Sequence, residues 1–301
     1  MNTLPYKAMA ATDSRHLRRT AGLFAALLIS MITLPAWATC NASNGEAASD
    51  VAGVRVGMTF DQALAGVKCD APELVITVHQ GNDWKLDSTG IKVRSGFEAN
   101  PAPPKDAANA SDYAQQRMAE ARYMIDHGKT PKAGHSRWRV HTVGLYGHER
   151  VIAVAHQQHF HSGHDPSNVK ISNALAHKYG QPTRVDTGIF NGHRYVTEMV
   201  WAHTPQGQLI GLNQDMGSCE TYDAPDDSLG LDSRCGLIIS AHLTPLDNNP
   251  DLVDMLSVGS TDQAFAMHEL NQFKHDLAQT HEKMRKAQTK ANEAKADDSD
   301  I

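Results

Sequence analysis

Two stretches stand apart from the short apolar runs that fill most of this chain. Ala21 to Ala38, AGLFAALLISMITLPAWA, is uncharged throughout and continuously apolar to Leu34. From Thr261 onward the apolar positions Leu270, Phe273, Leu277 and Met284 fall at heptad-like spacing, which predicts a long C-terminal helix. Its distal part, from Glu282 to Ile301, is rich in Lys, Ala, Glu and Asp, as a solvated or fraying helix would be.

Between them the pattern changes period several times. Val51 to Val56 alternates, and Gly57 gives way to a helix that Thr59 caps with Gln62 three residues on, Phe60, Leu64 and Val67 sharing one face. Leu74 to His79 and Gly90 to Val93 read as strands. Glu98 to Asn109, with Pro101, Pro103 and Pro104, reads as a semi-stiff linker, and Ser111 starts a helix through Ala114, Met118, Ala121 and Ile125 that Gly128 ends.

Trp138 to Tyr146 and Glu149 to Phe160 predict a hairpin about Gly147-His148, in a register that sets Arg139 opposite His156 with His141 diagonal to it. A helix follows from Pro166-Ser167 through Ile171, Leu175 and Tyr179, stopped by Gly180 and Pro182. Arg194 to His203 and Gln208 to Leu212 form a second hairpin about Thr204 to Gly207. Gly236 to Thr244 pairs with Leu252 to Val258 across the turn from Pro245 to Pro250.

These elements predict an α+β fold of small antiparallel sheets packed with helices, ending in the long helix. The expected organisation is a signal peptide (1–38), a small N-terminal α+β unit (39–98), a linker and helix (99–135), an antiparallel α+β domain (136–262) and a C-terminal helix with a solvated tail (263–301).

The apolar stretch sets the compartment. It follows Lys7, Arg15, Arg18 and Arg19, is interrupted by Pro35, and ends in Ala36-Trp37-Ala38, with alanine at the two positions a signal peptidase reads. It is short for a membrane span, so the expected mature chain is periplasmic or secreted and has no transmembrane segment. Arg18-Arg19 lacks the bulky apolar residue that follows a twin-arginine pair, which favours general secretion. Cys40 lacks the leucine and small residue that precede a lipidated cysteine.

All four cysteines, Cys40, Cys69, Cys219 and Cys235, follow the cleavage point, and an even count in an exported chain reads as a disulfide framework. Four cysteines allow three connectivities; the preferred one joins Cys219 to Cys235 across a turn-rich loop and Cys40 to Cys69. The whole chain carries a net charge of −6, and loss of the leader removes a net +3 and leaves −9. That sign disfavours nucleic acid and anionic lipid surfaces.

The segment Gly57-Met-Thr-Phe-Asp-Gln-Ala-Leu64 resembles the opening of SmpA/BamE-like envelope domains, over about Val54 to Cys69. The resemblance implies a short helix entered through a Gly-x-[ST] turn, set against a small antiparallel sheet in the periplasm. Ala174-Leu-Ala-His-Lys-Tyr-Gly-Gln-Pro182 is similar to a helix end found in uncharacterised secreted bacterial proteins.

The candidate chemistry is histidine. Among the 17 histidines, His156, His159, His161 and His164 are the sharpest group, because alternation on a strand puts His159 and His161 on one face, within reach of one zinc or copper ion. The competing expectation is a set of sheet-surface histidines with no cofactor. The acidic run Asp223, Asp226, Asp227 and Asp232 does not have the spacing of a calcium loop and reads as a solvated turn. The sequence holds no serine elbow, His-Glu-x-x-His or phosphate-cradling glycine loop, which lowers the case for an enzyme. The expected function is a non-enzymatic exported protein that contacts other envelope proteins, with histidine-based metal binding or buffering as the alternative.

Overall fold

In a computed structural model, residues 49–81, 91–102, 134–212, 214–217, 219, 222 and 229–296 are described. Along them run α1 (Phe60–Asp70), β1 (Val75–Gln80), β2 (Arg94–Asn100), β3 (Ser136–Val143), β4 (Arg150–His159), α2 (Asn168–Tyr179), β5 (Arg184–Phe190), β6 (His193–Ala202), β7 (Leu237–Leu246), β8 (Asn249–Asp262) and α3 (Gln263–Ala296). All lie within one unit, Cys40–Ile301. The eight strands form a single antiparallel sheet in the order β1-β2-β3-β4-β8-β7-β6-β5.

That order is palindromic. A capped helix followed by a four-stranded meander occurs twice, as α1 with β1 to β4 and as α2 with β5 to β8, and the two meanders meet where β4 pairs antiparallel with β8. An approximate two-fold axis therefore runs through the β4–β8 seam, normal to the sheet. α1 and α2 both contribute to the same apolar cluster, so they lie on one face, as such an axis requires.

α1 forms where its capping box directs. The Thr59 hydroxyl accepts from the Gln62 amide at 3.2 Å and the Gln62 side chain accepts from the Thr59 amide at 3.0 Å. The helix buries Phe60, Ala63 and Val67 on the sheet. α2 starts at Ser167, whose hydroxyl accepts from the Lys170 amide, and ends at Gly180. Its Tyr179 ring meets Trp201 at 5.1 Å, and the Trp201 indole donates to the Gly180 carbonyl at 2.9 Å. Asn168 acts as a surrogate peptide group for β6, donating to the Val196 carbonyl and accepting from its amide at 2.7 and 2.9 Å.

A buried ion pair ties β2 to the β3–β4 turn beside α1. Arg94 Nε and Nη2 donate to the two carboxylate oxygens of Glu149 at 2.6 and 2.8 Å, and Glu149 also accepts from the Gly147 amide. The guanidinium lies between the rings of Phe60 and Tyr146, 3.9 and 4.4 Å from their centroids.

The opposite face is covered in part by the start of α3 and by the segment before β7. Asp262 accepts from the Phe265 amide where α3 begins, and Ala266 is fully buried against Val143 and Ile152. Cys219 and Cys235 form a disulfide with Cα atoms 5.6 Å apart, and Cys235 sits in an apolar cluster with Val200, Ala202 and Ile238. Cys69 is also disulfide-bonded; its expected partner Cys40 lies outside the described residues, as do the leader, the helix expected from Ser111, and Asp223, Asp226 and Asp227. The cross-link between Cys219 and Cys235 closes 16 residues of chain, which corresponds to about 3 kcal/mol of loop-closure stabilisation. Serine at both positions is therefore expected to lower the unfolding free energy, read from urea titration, by that amount.

The expected fold of separate small sheets is corrected to one sheet-dominated layer. β2 covers 94–100, after the end of the strand expected over Gly90 to Val93 and reaching into the linker expected from Glu98, and it bonds β1 on one side and β3 on the other. The proline-rich signal starts only at Pro101, just past the strand. β5 was absent from the expected elements, although Asn191-Gly192, at φ 49° and 82°, forms the two-residue turn that joins it to β6.

The β3–β4 register is corrected too. Trp138 pairs with His156, and Arg139 with Ala155. The expected two-residue turn is a connection over 144–149, with a turn from Leu145 to His148 and Glu149 withdrawn by Arg94. A one-residue slip changes which side chains share a face, and His156 lies beside Trp138 on the core-bearing face.

Candidate functional site

The face opposite α1 and α2 is the chemically varied one, because register stacks polar residues across it. One row crosses six strands as Arg137, Gln157, Ser257, His242, Glu198 and Asp186. Gln157 donates to Ser257 at 3.0 Å, and Arg184 donates to Glu198 at 2.7 Å while also pairing with Asp186. Burial, with a hydrogen bond to Asp186, raises the Glu198 carboxyl above its usual range against the opposing pull of Arg184.

At the β1 side of this face, Glu98 bonds Arg139 on its paired strand, and Arg139 Nη1 reaches His79 Nε2 at 2.9 Å. Gly96 stands between His79 and His141 in the next row. Any Cβ there would meet the Val140 carbonyl oxygen at 2.0 Å, and φ is +139°. Burial alone would raise Glu98, but the His79 hydrogen bond and the Arg139 charge bring it down to about 2. His141 is driven the other way, to about 4, first by burial and then by charge interactions with Arg139 and His79. Its ring stands edge-on to Tyr222 with centroids 5.5 Å apart. This cluster is a brace: the carboxylate accepts from Arg139 and Asn100, and Arg139 also donates to His79.

The four histidines singled out by sequence are spread over three environments. His156 lies in the core face, its ring stacked on Trp138 at 4.2 Å, with Nε2 buried and unbonded; burial pushes it down to about 4. His159, on the other face, contacts Asp254 Oδ1 at 2.9 Å. His161 and His164 are exposed in the turn after β4, the His161 ring lying over Gly134 and the His164 amide donating to the His161 carbonyl. Among the described residues, no three His, Cys, Asp or Glu side chains converge as a metal-binding group.

A surface groove of about 550 Å³ lies beside the Arg94 clamp, lined by Ile91, Lys92, Leu145, Tyr146 and Thr280. No helix among the described residues is long and apolar enough to cross a membrane.

The two edges of the sheet are the other candidate surface, and sequence reading passed over one of them. β5 leaves Val185, Ile189 and Phe190 exposed, and β1 leaves Val75 and Val78 exposed. Neither strand carries the lysine or proline with which natural edges discourage pairing. On β5, the bulge lies in the partner strand β6, at Thr197, which leaves the outer rim of β5 regular. The signal that could have found it is the Asn-Gly pair between two alternating runs.

No family model, curated protein or solved structure matches this chain.

Proposed function

We propose that this is an exported, non-enzymatic module of the bacterial envelope that works by protein contact, its sheet edges receiving extended segments of other chains. The observation that carries this reading is the pair of edge strands, each with one strand neighbour among the described residues: Val75 is 46% exposed on β1 and Ile189 65% exposed on β5. Strand addition draws affinity from main-chain hydrogen bonds and specificity from alternate side chains, and both rims offer such alternation. Export is supported by the basic-apolar leader and by the disulfides, which persist in oxidising compartments. The local resemblance at Gly57-Met-Thr59 to SmpA/BamE-like domains agrees with an envelope role.

Photo-crosslinking tests it. The chain is produced with its leader in a Gram-negative host, with benzoylphenylalanine at Val75, at Ile189 or, as a control, at exposed Lys68 of α1. Discrete adducts to envelope proteins from the two edge positions, and none from Lys68, are expected. Equal adduct patterns from all three sites would overturn the edge reading.

A further inference from the structure

We infer that the β5 edge pairs with β5 of a second copy of this chain, two-fold symmetric about Thr187, to give a continuous sheet of both molecules. This rests on the contact-module reading and names the partner for one of its edges.

Self-complementarity singles out that occupant. Pairing about Thr187 is the antiparallel register in which all seven residues of β5 (Arg184–Phe190) find a mate. Val185 then meets Ile189 of the other copy twice over on one face, with Thr187 on Thr187 at the axis. On the other face Arg184, whose charge Glu198 and Asp186 already neutralise, stands opposite Phe190, and Asp186 stands opposite Gly188. Each exposed apolar residue of the strand gains a mate, and no like charges are placed opposite one another. Closed two-fold pairing uses the same patch on both subunits and ends there, so it does not propagate into fibres.

The local build supports an open rim. Gly188 would weaken an edge strand, but the Tyr195 ring lies across it, 2.4 Å from where a Cβ would stand, and so stiffens the hairpin. Strands 184–202 and the turn between them are described throughout, and among the described residues β5 has β6 as its sole strand neighbour. The molecule also already uses this mode of association internally, since its two meanders meet edge to edge at the antiparallel β4–β8 seam.

Sedimentation velocity of the full-length mature chain at concentrations on the order of 100 µM is expected to show a reversible dimer. Ile189→Lys should weaken it at least about tenfold, because two lysines would enter the apolar pairs. Val169→Lys, an exposed apolar site on α2, should leave it unchanged. A second measurement does not depend on the lysine variant folding. Under mild oxidation Thr187→Cys should form an intermolecular disulfide, since paired Cα atoms lie about 5 Å apart, whereas Val185→Cys should not, its symmetry mate being roughly 13 Å away. A chain that stays monomeric, or a dimer indifferent to Ile189→Lys with no cross-link at Thr187→Cys, overturns the inference. A monomer whose Ile189 position nonetheless photo-crosslinks to another envelope protein removes self-pairing and leaves the contact-module reading standing.

Discussion

Acidification from pH 7 to 4 is expected to strip several kcal/mol from the stability of this protein, because two of its histidines are folded in the neutral form. His141 and His156 sit on opposite faces of the sheet, and each is held down to about 4 from an ordinary 6.5. The unfolded chain takes up a proton on each ring near pH 6.5 and the folded one does not. Stability is therefore complete above that pH and drains away as the pH falls toward 4, by about 3 kcal/mol per ring. For His156 the cause is burial, against the Trp138 ring. For His141 it is burial first, then Arg139 and His79, with Glu98 opposing. Glu98, held at about 2, adds an acid-labile contribution only below the ordinary carboxylate range near 4.5. His156→Phe keeps the aromatic stack, removes a buried nitrogen with no partner, and should cut the pH slope by about half while costing little at pH 7. Urea titrations at half-unit steps read this directly, and a variant with the parent's slope would show that His156 does not titrate as described.

The second large effect lies at the Arg94–Glu149 clamp. Glu149 has a side chain only 1% exposed, so loss of its partner strands a carboxylate away from water. Burial would raise that carboxyl, but the Arg94 hydrogen bond, the backbone donors and the Arg94 charge hold it below its usual range. Arg94→Met is expected to destabilise by about 3–5 kcal/mol, as broken buried pairs do. Glu149→Leu leaves the guanidinium between Phe60 and Tyr146 without its carboxylate and should cost a similar amount. The double variant should recover most of the loss, because two apolar side chains remove both desolvation penalties together. Additive losses in the double-mutant cycle would mean that the clamp acts through Phe60 and Tyr146 packing and not through the ion pair.

Local signals in the sequence carried the helices well. Thr59 with Gln62, and Ser167 with Gly180, are caps whose chemistry is local; both helices begin where Thr59 and Ser167 direct, and α2 ends at Gly180. The Cys219–Cys235 pairing was legible for the same reason, since it closes a short loop. What did not show was any decision made by distant partners. That 94–100 is a strand depends on β1 and β3, and nothing within Arg94-Ser-Gly-Phe-Glu-Ala-Asn100 announces them. The fate of the histidines turned on one residue of register, which follows from the connection over 144–149 together with the bulge between His141 and Thr142, and the alternation of the two strands announces neither. The polar row from Arg137 to Asp186 is likewise a product of sheet order, which four-residue patterns cannot encode.

The palindromic strand order also shapes how the chain reaches its final form. Within each meander, most partners are near neighbours in sequence, but across the central seam Ala153 must find Thr261 and His156 must find Val258, roughly a hundred positions away. Ring-closing entropy makes such a search slow relative to hairpin growth. Refolding should therefore proceed as two preassembled wings that zip late, with amides at the β4–β8 junction the last to gain protection in pulsed hydrogen exchange.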